Sequence, residues 1–582
     1  MTSPEIRRLQ LLKFRGFKEL IWNPSSGVNI ILGGGNAGKT TLLDAVALLL
    51  HPSNSYPLAD SDYWQRNVED EFCIEAVMAL PESCGIHRQN SIAWPWEWDG
   101  NDAVLPDAEA PARSPVYKLR VRGTADLELA YEIVQPDDSV ITLTTTLRRG
   151  IGVVRLVNDE RNDRDLRLIQ GGGLDRLLAD KNLRAKLGRK VALDSVEKEL
   201  NPEARARLVT LDETFAVASL PSELGLGFVG GAGVSINALV GLTSKKDGVP
   251  LPLTSWGSGT RRLAALKIAD ALLDGTPITV VDELERGLEP YRQRHLMSVL
   301  REKKSQIFVT THSATVLSTA AGCALWYVDA KGAIGELPVE KVAAHQKADP
   351  EAFLARLTIV AEGSTEVGFI RALLSRFLAP NWEEQGICVT DGAGNEKVLN
   401  LLEALSSGGV RFAGFVDCEP ANPRPGRWQV IKERLGDLLL RWERGCLEEN
   451  ILPFFKPDDL EKLISDPEDL RSGQRRKSLA DRLGISDSSI IAIKAAAGDR
   501  LMALVVEAAT GYVPDEFKAD RSQKNVYKGH ASMWFKSVEG GQELAGKVFA
   551  LGVWPKVSPV LLPFLNAIRQ TLGAEPLTGP AQ

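Results

Sequence analysis

The 582-residue chain is predicted to be an α/β protein made of two parallel-sheet units in series, the second running on into a mixed to helical C-terminal region. Three observations predict this. A β-type run near the start ends in glycines and leads into an apolar helix. The βα pattern resumes at about 250–330, and a second βα series follows a polar, Pro-containing stretch at 346–353. Composition is that of a folded globular chain, with 44% hydrophobic and 25% charged residues, so sizeable cores can form. The expected domains are 1–345, with a helical insertion at about 170–235 that reads equally as a dimerisation element or as a solvated helical hairpin, and 352–582.

Alternating apolar positions at Leu9, Leu11, Phe14, Phe17 and Ile21, then VNIIL (28–32), read as strands entering Gly33-Gly34-Gly35. TLLDAVALLL (41–50) then reads as a helix buried against a sheet. Between about 70 and 165, segments such as FCIEAVMAL and VITLTTTLRR predict an antiparallel lobe. From about 172 to 216, Leu, Ala, Lys, Arg and Glu predict the helical insertion.

Sixty-nine Lys and Arg against 76 Asp and Glu give a net charge of −7, which excludes a uniformly basic nucleic-acid binder but not a local basic groove. The six cysteines contain no C-x-x-C pair, against a disulfide framework or zinc finger. The opening residues lack the apolar core of a signal peptide, and no run approaches the about 18 apolar residues of a membrane span, so a cytoplasmic, membrane-free protein is expected.

Gly33-x-x-x-x-Gly38-Lys39-Thr40 has P-loop spacing, in which backbone amides wrap phosphates, the lysine contacts β/γ oxygens and the hydroxyl ligates Mg²⁺. The cofactor-binding candidates here are Gly33, Asn36, Gly38, Lys39, Thr40 and Thr41. Downstream, ITVV (278–281) ends in Asp282-Glu283. Asp282 is placed to support Mg²⁺ with Thr40, and Glu283 to polarise the attacking water. Ser258 and Gly259 open a predicted helix whose start can hold a γ-phosphate, and His312 ends the QIFVTTHS strand.

A second constellation is acidic. LTIVA (357–361) ends at Glu362, with Glu366 four residues on at a helix start. FAGFV (412–416) ends in Asp417-Cys418-Glu419. Two neighbouring strand ends would thus gather carboxylates that repel one another unless a divalent cation, Mg²⁺ or Mn²⁺, is held between them. Arg424, Arg427, Lys432, Arg434 and Arg441 around Trp428, and Arg471, Arg475, Arg476 and Lys477, suit phosphate contacts. A solvated charged face explains either cluster equally well.

The ordered motifs of roughly 1–340 resemble an ATP-binding-cassette ATPase of the structural-maintenance and RecF-like branch. In that resemblance Ser258-Gly259 corresponds to the signature motif, Gly287-Leu288-Glu289-Pro290 to the loop after Walker B, and His312 to the switch histidine. It implies ATP as cofactor and a homodimer or higher oligomer through composite sites. The second series resembles a Toprim domain, a Rossmann-like parallel sheet. The combination over about 1–460 resembles the OLD (overcoming lysogenization defect) family.

That resemblance implies an ATP-regulated, metal-dependent nuclease acting on DNA, commonly in anti-phage defence and with room for a partner protein. It implies Glu362, Glu366, Asp417, Glu419 and Glu449 as metal ligands, Glu449 being preferred over its neighbour in LEEN, and a downstream lysine for transition-state charge. Lys536 is ranked ahead of Lys547. Glu419 stands where the family more often has aspartate. A nuclease-inactive RecF-like repair ATPase, and an effector active only with a partner subunit, stay open as alternatives.

Overall fold

The computed structural model describes the chain outside 1–2, 35–36, 55, 89–91, 108, 110, 112, nearly all of 157–242, 247–248, 272–276, 330–331, 408–411, 419–423, 467–470 and 578–582. The expected helical insertion at about 170–235 therefore lies outside the described residues. The described chain forms two compact units. One comprises Met1–Val28 and Thr40–Thr311, the other Asn29–Lys39 and His312–Gln582.

In the first unit, Glu5–Phe14 pairs antiparallel with Phe17–Trp22 on one side and Phe72–Ala79 on the other. Pro115–Gly123 and Leu129–Val134 extend this antiparallel sheet, as the alternation between 70 and 165 predicts. Phe14, Phe72 and Tyr63 stack in its core. A second, parallel sheet contains Val153–Leu156, Ile278–Val281 and Ile307–Thr310. Every residue of the latter two strands is buried, the pattern of a sheet covered on both faces. The buried Gln306 amide ties the layers together, accepting from Ile6 N at 2.8 Å and donating to Ile6 O at 2.9 Å.

The second unit contains two parallel arrangements. Residues 29–32 pair with Ala324–Val328. Further along, four parallel strands stand in the order Ile387–Asp391, Leu357–Ala361, Ala413–Val416, Leu439–Arg441. The helices Ser364–Phe377, Asn395–Ser407 and Pro425–Leu435 connect them. From Leu447 onward the described regular structure is helical, ending in Trp554–Thr571.

The 346–353 stretch, expected to be a linker, is packed inside this unit. Gln346 Nε2 donates to Leu317 O at 2.7 Å, Thr358 Oγ1 donates to Ala352 O, and Phe353 is buried. Gln346 thus satisfies an internal carbonyl and Asp349 accepts from Thr390 Oγ1, and the division between units falls at Thr311/His312 instead.

Candidate functional site

Leu357–Ala361 and Ala413–Val416 are adjacent parallel strands, so the residues that follow them, Glu362 and Asp417, emerge side by side. Glu362 Oε2 accepts from Asp417 N at 2.8 Å and from Asn395 Nδ2 at 3.0 Å, and Asn395 also donates to Asp417 O. Leu447 N donates to Asp417 Oδ1 at 3.0 Å, bringing the start of the Leu447–Ile451 helix over the strand end. Glu366, in the first turn of Ser364–Phe377, lines the same cleft of about 380 Å³ with Glu362, Asp417 and Lys536.

The electrostatics follow from this crowding. Burial pushes the Asp417 carboxyl far above its ordinary range, and Glu366, Glu362 and Glu448 push it further. Burial also raises Glu366, with Glu448 as its chief acidic neighbour. Lys536 opposes both shifts. Its own ammonium is disfavoured by burial but held by Glu448, whose attraction outweighs that cost and leaves it above the usual lysine range. Lys536 Nζ lies 2.9 Å from Glu448 Oε1, and Glu448 is completely buried.

Four carboxylates, Glu362, Glu366, Asp391 and Asp417, thus line one cleft with the Lys536 ammonium, and the buried Glu448 stands beside that ammonium. The carboxylates are hard oxygen donors of the kind that Mg²⁺ or Mn²⁺ takes. Glu366 Oε1 is buried and has no hydrogen-bond partner among the described residues, so it is available to a cation. Among the described residues no three His, Cys, Asp or Glu side chains already stand at metal-holding distances. The donor set fits a divalent cation by chemistry, and its oxygens would have to draw together around one.

Several expected residues are placed elsewhere. Glu449 is exposed, its Oε2 accepting from Cys446 N at 2.8 Å as a helix cap. The neighbouring Glu448 is the acid that turns inward. Glu419 lies outside the described residues. Lys547 donates to Leu463 O and pairs with Glu543 at 2.8 Å, serving the C-terminal end of Leu460–Ile464.

The basic clusters are largely spent on the fold. Arg427 pairs with Glu403 at 2.6 Å, Arg424 with Glu396 at 2.9 Å, and Lys432 donates to Leu439 O. Trp428 is buried beneath Arg441, so it offers no face to a base, and Arg475 is completely buried.

Sequence reasoning missed Asn395 and Glu448. Asn395 has a signal of its own, a polar residue that starts a helix directly after a glycine turn at a strand end.

The residues expected to bind nucleotide fall partly in each unit. In the second, Gly33 has φ +146° and a Cβ there would lie 2.4 Å from Val328 O, so only glycine fits. Lys39 Nζ donates to Gly33 O and Gly34 O at 3.0 and 2.9 Å. Gly38 has positive φ, and Asn36 lies outside the described residues. His312 belongs to this unit and is exposed.

In the first unit Thr40 Oγ1 lies 3.3 Å from both carboxylate oxygens of Asp282, next to half-exposed Thr41. Thr310 Oγ1 donates to Asp282 Oδ1 at 2.6 Å and accepts from Glu283 N at 2.8 Å, which aims the two acids. Ser258 and Gly259 pack against the loop after Asp282-Glu283, since a Cβ on Gly259 would meet Gly287 O at 2.3 Å. Arg262 Nη1 donates to Glu283 O and Arg286 O, holding that loop from the same helix.

Residues 99–318 match the family described as "AAA domain, putative AbiEii toxin, Type IV TA system". A segment of 59 residues is 34% identical to the DNA replication and repair protein RecF of Geobacter metallireducens, covering 10% of this chain and 16% of that one. A segment of 49 residues is 45% identical to RecF of Moorella thermoacetica, covering 8% and 13%. The chain therefore spans about a sixth or less of the length of these curated relatives.

Among solved structures, the Smc head domain of Pyrococcus furiosus is 12% identical with a TM-score of 0.33, over 60% of this chain and 99% of that one. The recombination mediator protein RecF with ATP is 14% identical with a TM-score of 0.32, over 58% and 98%. The similarity to an AAA-type ATPase domain thus spans residues 99–318, and the similarity to RecF is confined to short segments. No helix among the described residues is long and apolar enough to cross a membrane.

Proposed function

We propose that the chain is an ATP-dependent, metal-dependent DNA nuclease of OLD type, with the ATPase domain followed by a Toprim nuclease domain. The observation that carries the reading is the cleft in which Glu362, Glu366, Asp391 and Asp417 face Lys536, with the buried Glu448 paired to that lysine. Glu362 and Asp417 sit at adjacent ends of a parallel sheet, where α/β sheets place their ligands. A divalent cation bound there supplies activation of water and stabilisation of the leaving oxygen. Glu362, Glu366, Asp417 and Glu448 would hold it. Asn395 keeps Glu362 in register, and Lys536 places positive charge where a phosphodiester gains negative charge in the transition state.

ATP with Mg²⁺ is the cofactor proposed for Lys39, Thr40 and Asp282, with Glu283 and His312 acting on the γ-phosphate. The reading carries with it a homodimer or higher oligomer, a cytoplasmic setting, and a role in anti-phage defence or DNA processing, with or without a partner protein. A RecF-like repair ATPase without cleavage is the second reading. It is favoured by the absence of a ready three-ligand metal group among the described residues.

Supercoiled and linear DNA incubated with the protein and Mg²⁺ or Mn²⁺, with and without ATP, separates the two. The nuclease reading expects cleavage that Glu362→Ala and Asp417→Ala both remove. ATP hydrolysis without cleavage under every condition selects the second.

A further inference from the structure

Arg475, in the helix Ser472–Leu483, was expected on a basic surface and is instead completely buried. All five of its N–H donors are used. Nε donates to Met533 O at 3.0 Å and Nη2 to Trp534 O at 3.2 Å. Nη1 donates to Ile464 O at 3.1 Å, and the two Nη atoms form a fork to Glu543 at 2.6 and 2.7 Å. Its guanidinium lies 5.0 Å from the Phe535 ring centroid.

These contacts converge on the segment that delivers Lys536. Met533 ends the short 3₁₀ turn Ala531–Met533, and Trp534 and Phe535 follow it outside any helix, both fully buried. The Phe535 carbonyl accepts from Ser537 N at 2.7 Å, and side chains reach all three carbonyls of the segment. Arg475 takes the first two. Thr365 Oγ1, beside Glu366, donates to Phe535 O at 3.1 Å. Trp534 Nε1 donates to Ser478 Oγ at 3.1 Å, one turn along from Arg475. Glycine at 540 allows the close approach, since a Cβ there would lie 2.6 Å from Phe535 O.

We propose that Arg475 is a positioning residue for Lys536: its buried guanidinium, braced by Glu543, fixes the Met533 and Trp534 carbonyls and so sets where the Lys536 ammonium enters the acidic cleft. A planar fork is needed because three carbonyls and a carboxylate are bound by one guanidinium, which the single ammonium of a lysine does not reproduce. The importance of this to DNA cleavage rests on the nuclease reading above. The positioning itself does not.

The test uses the full-length chain as wild type, Arg475→Lys and Thr365→Val, with folding checked by circular dichroism. Each is treated with a limiting amine-acylating reagent, and modification of Lys536 is read by peptide mass spectrometry relative to exposed Lys18. Release of the segment should raise the Lys536/Lys18 ratio on the order of fivefold in Arg475→Lys. A ratio within about twofold of wild type in the folded variant overturns the proposal. Should Arg475→Lys not fold, Thr365→Val, which loses one bond to the same segment, is judged by the same two outcomes.

A cleavage assay adds a readout that a general structural role would not give. If Arg475 acts through Lys536, Arg475→Lys combined with Lys536→Met cleaves no more slowly than Lys536→Met alone. A further additive loss overturns it. A wild-type chain that cleaves nothing removes the nuclease reading but leaves the acylation result to decide on Arg475.

Discussion

The Lys536 ammonium stands 2.9 Å from Glu448 Oε1 and is, among the described residues, the only cation lining the cleft with Glu362, Glu366, Asp391 and Asp417, while Glu448 itself is wholly shielded from water. Removing one partner of a buried pair costs more than the pair is worth, because the remaining charge stays buried and unbalanced. Lys536→Met is therefore expected to destabilise the protein by about 2–4 kcal/mol in the absence of divalent cations, slightly below the range for fully buried pairs because Lys536 is partly exposed. Glu448→Gln keeps shape and removes a negative charge from the cluster, so it should cost less than about 1 kcal/mol. Urea unfolding midpoints at pH 7 with chelator compare the two. Equal costs would show that the pair does not balance the cluster.

Glu366 and Lys536 are also linked through two helices that touch backbone to backbone. A Cβ on Gly368 would lie 1.8 Å from Val538 O, and one on Gly541 would lie 2.0 Å from Thr365 O. The helices Ser364–Phe377 and Val538–Ala550 can meet at this distance only with glycine at both places. Gly541→Ala should cost about 2–3 kcal/mol through overpacking and, on the nuclease reading, slow DNA cleavage as Glu366 is displaced. Gly546 lies in the same helix with nothing within 4 Å of its would-be Cβ. There alanine should be stabilising by about 0.5–1 kcal/mol, from helix propensity alone. Thermal melting of both variants checks the contrast, and similar shifts would refute close packing as the cause.

How much of this was legible in the sequence depends on how local the information is. Glu362 and Asp417 could be placed because an apolar strand-like run ending in a carboxylate fixes both position and direction, and Glu366 because it opens the helix that follows. Glu448 and Glu449 are neighbours on a helix, where adjacent residues point about 100° apart, and which of them faces the cleft is set by the Leu447–Asp417 bond. That bond joins residues 30 apart in sequence and leaves no local trace. The basic clusters misled for a similar reason. Charge density in sequence does not distinguish an arginine facing solvent from Arg427 or Arg475, each of which finds a buried or half-buried glutamate from a distant helix. The antiparallel lobe and both βα series were readable because period-2 and period-3.6 patterns are local properties.

The nucleotide half offers a separable prediction. Lys39 Nζ is already bonded to Gly33 O and Gly34 O, and Asp282 is aimed at Thr40 by Thr310. Lys39→Ala removes the charge that would meet the β/γ-phosphates and should weaken ATP binding at least about tenfold, with or without Mg²⁺. Asp282→Asn should leave affinity for metal-free ATP within about twofold and remove the gain that Mg²⁺ brings. Titration with a fluorescent ATP analogue in chelator and in Mg²⁺ measures both. Equal losses for the two variants in chelator would argue against separate phosphate and metal roles.

A pH effect is expected from His530, which belongs to the helical C-terminal region and is 1% exposed. Burial lowers its pKa from the ordinary value, and nearby Arg482 lowers it further against the weaker pull of Asp481. Tyr527 packs against the ring at 5.6 Å and offers no charge to stabilise an imidazolium. The folded protein therefore keeps His530 neutral where the unfolded chain, with a histidine pKa of about 6.5, would bind a proton. Its contribution to stability is complete above about pH 6.5 and is lost as pH falls below that value toward the lowered folded pKa, where the loss levels off. His530→Gln, which cannot titrate, should flatten the stability profile between about pH 7 and 5 while lowering it at pH 7. Chemical denaturation midpoints across that range decide it. A variant whose profile falls as steeply as wild type would assign the acid sensitivity to other groups.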